Sequence, residues 1–499
     1  MSPERLTYRF GPLERRGLLG PIRAGQAAVL AAGGLVAILV LDQTPTATGA
    51  LLATVLFGSM VVLVVAPLGR RTAEEWAPIA AAFALRRLRG HGRYRSSLPI
   101  RGVVGHEREA PRRRSLRDPM PDPPRPVRSV RVIEIPYGDR PFGALSEARG
   151  KRMTAVLACR VVAFSLLDPD AQERRLARWG LLLAGAASTP IRRIQWIERT
   201  APAQGDELAR WLHSERDPAI PLRGTPMIES YLELIATTTR VTQEHEILVA
   251  IQVDAARLRA RGPNGITGSV IEQTERVAQG LEAAEVTVQG ALGPAQLARA
   301  LRTAFDPYGR VELAALETAD KRRQGLAEPG AWPLGAQEAW DHYRTDGALH
   351  ATYWIGAWPR VDVSPMFMDA LLGRSSAVRA IAVTFEPIAP ERSTREAEAA
   401  ITRDRADREL RHRLGQSETA RQRQAQDAAM RREAELAAGH GEVRLAGFVT
   451  VSGRDHEDLR RACAEVHEHA ARARIELHRM YGQQADAFTF TLPLCRGLR

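Results

Sequence analysis

The chain has 499 residues, with 70 Lys and Arg against 58 Asp and Glu for a formal charge of +12, so its length alone allows several domains and a sizeable buried core. Hydrophobic residues at 44% and charged residues at 26% exclude a wholly disordered chain. Three cysteines, Cys159, Cys463 and Cys495, stand too far apart for a CxxC zinc or redox signature and are too few for a disulfide framework, which fits a reducing cytoplasmic environment.

The cations are unevenly chosen and unevenly placed. Lysine occurs only at Lys151 and Lys321, a skew that points to GC-rich coding, because a phosphate-binding surface has no reason to exclude lysine. Between Arg86 and Arg131 stand 14 arginines against Glu107, Glu109, Asp118 and Asp122, which places +10 in one short stretch.

From the start of the chain, Ile22 to Leu41 and Gly49 to Leu68 are two apolar runs, each long enough for about 30 Å of hydrocarbon at about 1.5 Å per residue. They predict two transmembrane helices, 22–41 and 49–68, within a membrane domain 1–71. The turn between them, Asp42 to Thr48, carries no cation. Arginines flank both runs on the outside, so the positive-inside bias predicts a multi-pass protein of the cell membrane with both termini in the cytoplasm. The juxtamembrane region, 72–129, begins with a predicted interfacial helix from Thr72 to Arg89, with Trp76, Ile79, Ala80 and Phe83 on one face. Arg70, Arg71, Trp76, Arg86, Arg87 and Arg89 are its candidate contacts with anionic lipid. From Gly90 to Arg128 the Pro- and Arg-rich composition predicts a linker.

Beyond Val130 a strand-helix-strand pattern recurs. Ala155 to Ile197, Ile247 to Gln289, Tyr353 to Glu386 and Val443 to Met480 each fit it, which predicts an α+β cytoplasmic region, 130–392, built of ferredoxin-like units, with a C-terminal α+β unit at 439–499. Between them, 393–438 is charged and Ala-, Arg- and Glu-rich and predicts a projecting helical hairpin hinged near Gly415 to Ser417.

Motifs for chemistry are scarce. Gly150-Lys151-Arg152 resembles a phosphate loop, but Leu145 replaces its first glycine and Arg152 its hydroxyl, so no ATP site is expected. His467 and His469 fall on different helix faces, and His456 and His478 have no Cys or Asp at ligand spacing, so no metal site is expected. No GxSxG, HExxH or Cys/His pairing occurs, which leaves no candidate catalytic residue and no cofactor. Trp332, Trp340, Tyr343, Tyr353, Trp354 and Trp358 form an aromatic cluster that reads as core or as a docking patch. The arginine stretch lacks interleaved aromatics, which argues against direct nucleic-acid contact.

Two short spans, a helix carrying Trp76 and a closing segment Gln483-Gln484-Ala485-Asp486-Ala487-Phe488-Thr489-Phe490-Thr491-Leu492-Pro493-Leu494 resemble the PrgI-like two-helix component of type IV secretion joined to the N-terminal, non-motor domain of the CagE/TrbE-type secretion ATPases. The resemblance implies a non-catalytic, membrane-anchored platform of a secretion or conjugation machine within a larger oligomeric complex, recruiting a separate ATPase. It also implies that Phe488, Phe490, Leu492, Pro493 and Leu494 face that partner. The same layout of two N-terminal spans before a cytoplasmic domain also resembles type VII secretion core components of the EccE kind, the alternative reading.

Overall fold

A computed structural model describes residues 24–65, 67–68, 71–96, 123–138, 141–160, 164–202, 243–258, 265–309, 328–359, 361–373, 375–399 and 441–498, with isolated residues between them. The described residues divide into two compact units, one up to Gly92 and the other from Arg93 onward.

In the smaller unit, helix α1 (Ala24–Gln43) and helix α2 (Ala47–Val65) form a hairpin closed by Thr44, whose hydroxyl donates to Val40 O at 2.7 Å. Their seam is made of small residues. Ala53 is buried, and a side chain added at Gly33 would stand 3.1 Å from Met60 Cγ. Large apolar side chains such as Leu35, Ile38, Leu51, Val55 and Val62 lie exposed outside that seam. Among the described residues no helix is long and apolar enough to cross a membrane. This corrects the expectation of two transmembrane helices at 22–41 and 49–68, and with it the multi-pass placement in the cell membrane. The apolar runs fold as a helical hairpin whose close approach uses their glycines and alanines. A short β1 (Pro67–Leu68) pairs with β2 (Arg71–Thr72), and helix α3 (Ala73–Leu88) follows, with Glu75 accepting from Thr72 N at 3.3 Å at its start.

The larger unit also departs from expectation, because its strands do not close into separate small units. One 13-stranded sheet, antiparallel at every pairing, runs through it. The first half consists of β4 (Arg131–Ile135), β5 (Phe142–Glu147), β6 (Arg152–Arg160), α4 (Pro169–Ala186), β7 (Ile191–Pro202), β8 (Gln243–Asp254), α5 (Gly265–Ala283), β9 (Thr287–Ala291) and α6 (Pro294–Phe305). The second consists of β10 (Gly335–Glu338), β11 (Tyr343–Arg344), β12 (Leu349–Ala357), α7 (Asp369–Leu372), β13 (Val378–Ile388), β14 (Glu442–Gly453), α8 (His456–Arg472), β15 (Glu476–Arg479) and α9 (Gln484–Phe488). In each half a hairpin precedes a β-α-β-β-α-β run whose fourth strand pairs with the first and whose third lies between the first and second.

The halves are related by more than element order. Val270, Val277, Leu281 and Ala284 are buried in α5 and just beyond it, as are Leu459, Val466, Ala470 and Ala473 in and after α8. Each helix then ends on a non-glycine residue with positive φ, Glu285 at 60° and Arg474 at 57°. The following N–H reaches back to the helix in both, from Val286 to Leu281 O and from Ile475 to Ala470 O. The second strands, β7 and β13, pair antiparallel with Ile197 opposite Ala382, so equivalent strands meet across a local two-fold. An additional strand, β3 (Arg93–Arg95), extends the sheet beside β10.

Alternation along the strands gives the sheet two buried faces. One packs on helices. Leu157, Ile194, Val249 and Ile251 meet α4 and α5, while Ala351, Tyr353, Ile381 and Val449 meet α8. Of the predicted hairpin at 393–438, only 393–399 and a few further residues are described, and 393–399 is helical. Arg70 and most of the predicted linker likewise lie outside the described residues.

Candidate functional site

The second face of the sheet holds the polar groups that strand alternation alone does not explain. Gln195, Thr352 and Thr384 are completely buried there, with Gln252 and Thr450 nearly so. A buried amide or hydroxyl needs a partner, and a regular helix has few free backbone groups to offer. The C-terminal tail, 489–498, meets that need with irregular backbone. Gln195 Nε2 donates to Phe490 O at 2.7 Å while its Oε1 accepts from Cys495 N at 2.8 Å. Gln252 donates to Leu494 O at 3.2 Å and Thr384 to Arg496 O at 3.1 Å, and Thr450 shares a hydroxyl contact with Thr491 at 2.8 Å.

Charged residues fasten the far end of the tail. Arg193 pairs with Glu386 at 2.9 Å and donates to the carbonyls of Cys495 and Leu498 at 3.2 and 2.8 Å. Arg496 pairs with Glu147 and donates to Pro126 O at 2.7 Å. These contacts reach strands of both halves and cross their seam.

Phe488, Leu492 and Leu494 are at most 2% exposed, Pro493 is buried and Phe490 is half-buried. Phe488 meets Phe305, Tyr343 and His350 with ring centroids 5.0, 5.5 and 4.7 Å apart, and Phe490 meets Phe448 at 4.7 Å. Of the five residues expected to face a partner, Phe488, Leu492, Pro493 and Leu494 are therefore buried within their own unit, and Phe490 is half-buried against Phe448. Polar residues at mid-strand, above all Gln195 and Gln252, were the signal in the sequence for such a cover.

The other predicted positions resolve individually. Arg71 lies over the Trp76 ring at 5.3 Å, Arg86 and Arg87 occupy the last turn of α3, and Arg89 is its C-cap. Trp332, Tyr343 and Tyr353 are core, while Trp340 is 37% exposed and stacks on Tyr481 at 6.5 Å. Gly150 and Lys151 close a β-hairpin turn that leads into β6 at Arg152, with Ala148, Arg149 and Gly150 all at positive φ, and the segment is not a strand-to-helix loop. His467 Nδ1 lies 2.8 Å from Cys463 O with its ring against Tyr353, and His478 lies beside Trp354. Among the described residues no group of three or more His, Cys, Asp or Glu is arranged to hold a metal ion. Burial pushes the Cys159 thiol up to about 11 and raises that of Cys495 further, away from the thiolate that nucleophilic chemistry requires.

Residues 241–355 match the model of a family described as a putative type VII ESX secretion system translocon, EccE. The matched segment runs from the start of β8, through α5, β9 and α6, into β12, and so bridges the two halves of the sheet. The similarity supports a component of a secretion-system translocon and favours the type VII alternative over the type IV reading. No curated protein matches the chain.

Proposed function

We propose that the protein is a non-catalytic subunit of a type VII secretion translocon, in which the duplicated sheet is a rigid framework for contacts with other subunits. The similarity of residues 241–355 to the EccE family carries this reading. Two structural features support it. Gln195, Gln252, Thr384 and Thr450 on the second face are engaged by the protein's own tail, and the three cysteines are all buried. The burial of Phe488, Leu492 and Leu494 supports the type VII reading over one in which those side chains face a separate motor.

The test is affinity purification of the tagged full chain from its native host, with mass spectrometry of the co-purifying proteins and a comparison of secreted proteins between wild-type and deletion strains. Translocon subunits in the purified complex, and loss of secretion on deletion, are expected. Type IV conjugation proteins in the complex, or unchanged secretion, would overturn the assignment.

A further inference from the structure

In each half, the first strand begins where the third ends, and the loop into the second strand lies beside them. The two ends are equivalent in the duplicated fold but differ in charge.

In the second half this end carries a cavity of about 480 Å³, lined by Tyr308, Ser376, Arg454, Asp455, Asp458 and Arg461 among others. Its two cations and two carboxylates balance, and they are engaged. Asp455 caps α8, Asp458 accepts from Arg461 at 2.7 Å and from Arg454 N at 3.0 Å, and the Arg454 guanidinium lies 4.8 Å from the Tyr308 ring centre.

In the first half, Arg152 Nε and Arg192 Nη1 stand 3.4 and 3.0 Å from the same oxygen of Asp254. The other Asp254 oxygen is taken by Ala256 N. Arg257 Nη2 lies 3.9 Å from Glu386, whose second oxygen belongs to Arg193. Four guanidiniums therefore share two carboxylates. Three of them keep 41%, 23% and 29% of their side-chain surface open, at Arg152, Arg192 and Arg257. Burial, followed by crowding from Arg192 and Arg392, holds the Arg257 guanidinium below its ordinary pKa. At the adjoining hairpin tip, Arg149 and Lys151 are exposed and make no ion pair among the described residues, while Glu147 in the same turn is taken by Arg496. Lys151 O accepts from Ala255 N at 2.9 Å, which holds the tip against the end of β8.

We propose that this end of the first half, centred on Arg149, Lys151, Arg152, Arg192 and Arg257, docks an acidic segment of a partner protein. Uncompensated, partly buried guanidiniums favour an added anion, and an arginine fork matches a carboxylate with two donors. The site already pairs two carboxylates, Asp254 and Glu386, each with single guanidinium nitrogens from two different arginines, which leaves remaining donors of Arg152, Arg192 and Arg257 for a further anion. No aromatic side chain is among these residues to stack a base, so an acidic peptide fits better than a nucleic acid. Burying few apolar groups, the contact draws its strength and association rate from charge and weakens with salt.

Fluorescence anisotropy of a labelled oligoglutamate peptide with the purified full chain at low salt is the test. Saturable binding is expected, weakened about tenfold or more by the double variant Arg149→Glu with Lys151→Glu. The neutral pair Arg149→Gln with Lys151→Gln should fall between, with thermal melting unchanged in both. Arg461→Glu, at the balanced end of the second half, should leave binding intact. Absence of binding, an equal loss with Arg461→Glu, or stronger competition by anionic vesicles or single-stranded DNA of matched charge would overturn the proposal.

Discussion

At Gln195 one side chain answers two orphan groups at once, the Phe490 carbonyl and the Cys495 amide. Gln195→Leu keeps the volume and removes both bonds, and each unsatisfied buried group costs about 1–3 kcal/mol. Urea unfolding should therefore show a loss of about 3 kcal/mol, well above the usual effect of a surface substitution. His350 gives a pH-dependent counterpart. It is fully buried, with Ser452 Oγ at 2.8 Å from Nδ1 and with Thr345 Oγ1 and Phe305 O at 2.9 and 3.1 Å from Nε2. Burial lowers its pKa from 6.5 to about 4. The unfolded chain then takes up a proton that the folded chain refuses, so the stability present above pH 6.5 is lost as pH falls towards 4, by about 1.4 kcal/mol per unit. A His350→Gln variant should show a flatter dependence of unfolding free energy on pH across that window than the wild type. An unchanged slope would mean that other groups set it.

At the scale of elements, the positive-φ ends of α5 and α8 are informative because glycine, favoured at this position, is absent from both. Glu285 is held there by Arg175 and Arg178, at 3.0 and 3.2 Å. Arg474 has no such ion pair among the described residues, so Arg474→Gly should relieve left-handed strain and stabilise the protein by about 1 kcal/mol. Glu285→Gly should gain less, because it gives up two exposed ion pairs. Thermal melting of the two variants separates these outcomes. The same elements show what the sequence could reveal. Strands such as Ala155 to Leu157 and Val449 to Val451 were legible from apolar runs, and the helices between them from periodicity. The duplication was not, because across the aligned stretches 265–293 and 454–482 only Val277/Val466, Ala284/Ala473 and Gly293/Gly482 are identical. Burial at matched positions preserves the shape while residue identity drifts. The burial of the closing segment is not legible, because Phe488, Leu492 and Leu494 look the same in sequence whether they fill a core or face a partner.

For the whole larger unit, the question is what keeps two halves acting as one body. Backbone pairing of β7 with β13 joins them at the centre, with further support on the helix face from Trp179 against Phe385, whose ring centroids are 5.7 Å apart. On the second face the connection is the tail, which supplies Leu492, Leu494 and Cys495 as fully buried side chains and engages Arg193, Gln195, Gln252 and Thr384. Removing Thr489–Arg499 deletes at least two core leucines, each worth about 2–5 kcal/mol, and orphans several buried polar groups at about 1–3 kcal/mol each. The sum reaches the 5–15 kcal/mol that holds an ordinary domain together. The truncated chain should therefore lose cooperative unfolding, and amide exchange should accelerate in β7 and β13, the strands that meet at the seam. Arg496→Ala, which removes the side-chain contacts to Glu147, Pro126 and Thr489, should lower the melting temperature while leaving one transition. If the truncated chain melts in a single transition at the wild-type temperature with β7 and β13 still protected, strand pairing alone holds the halves together, and the tail is a cover without a locking role.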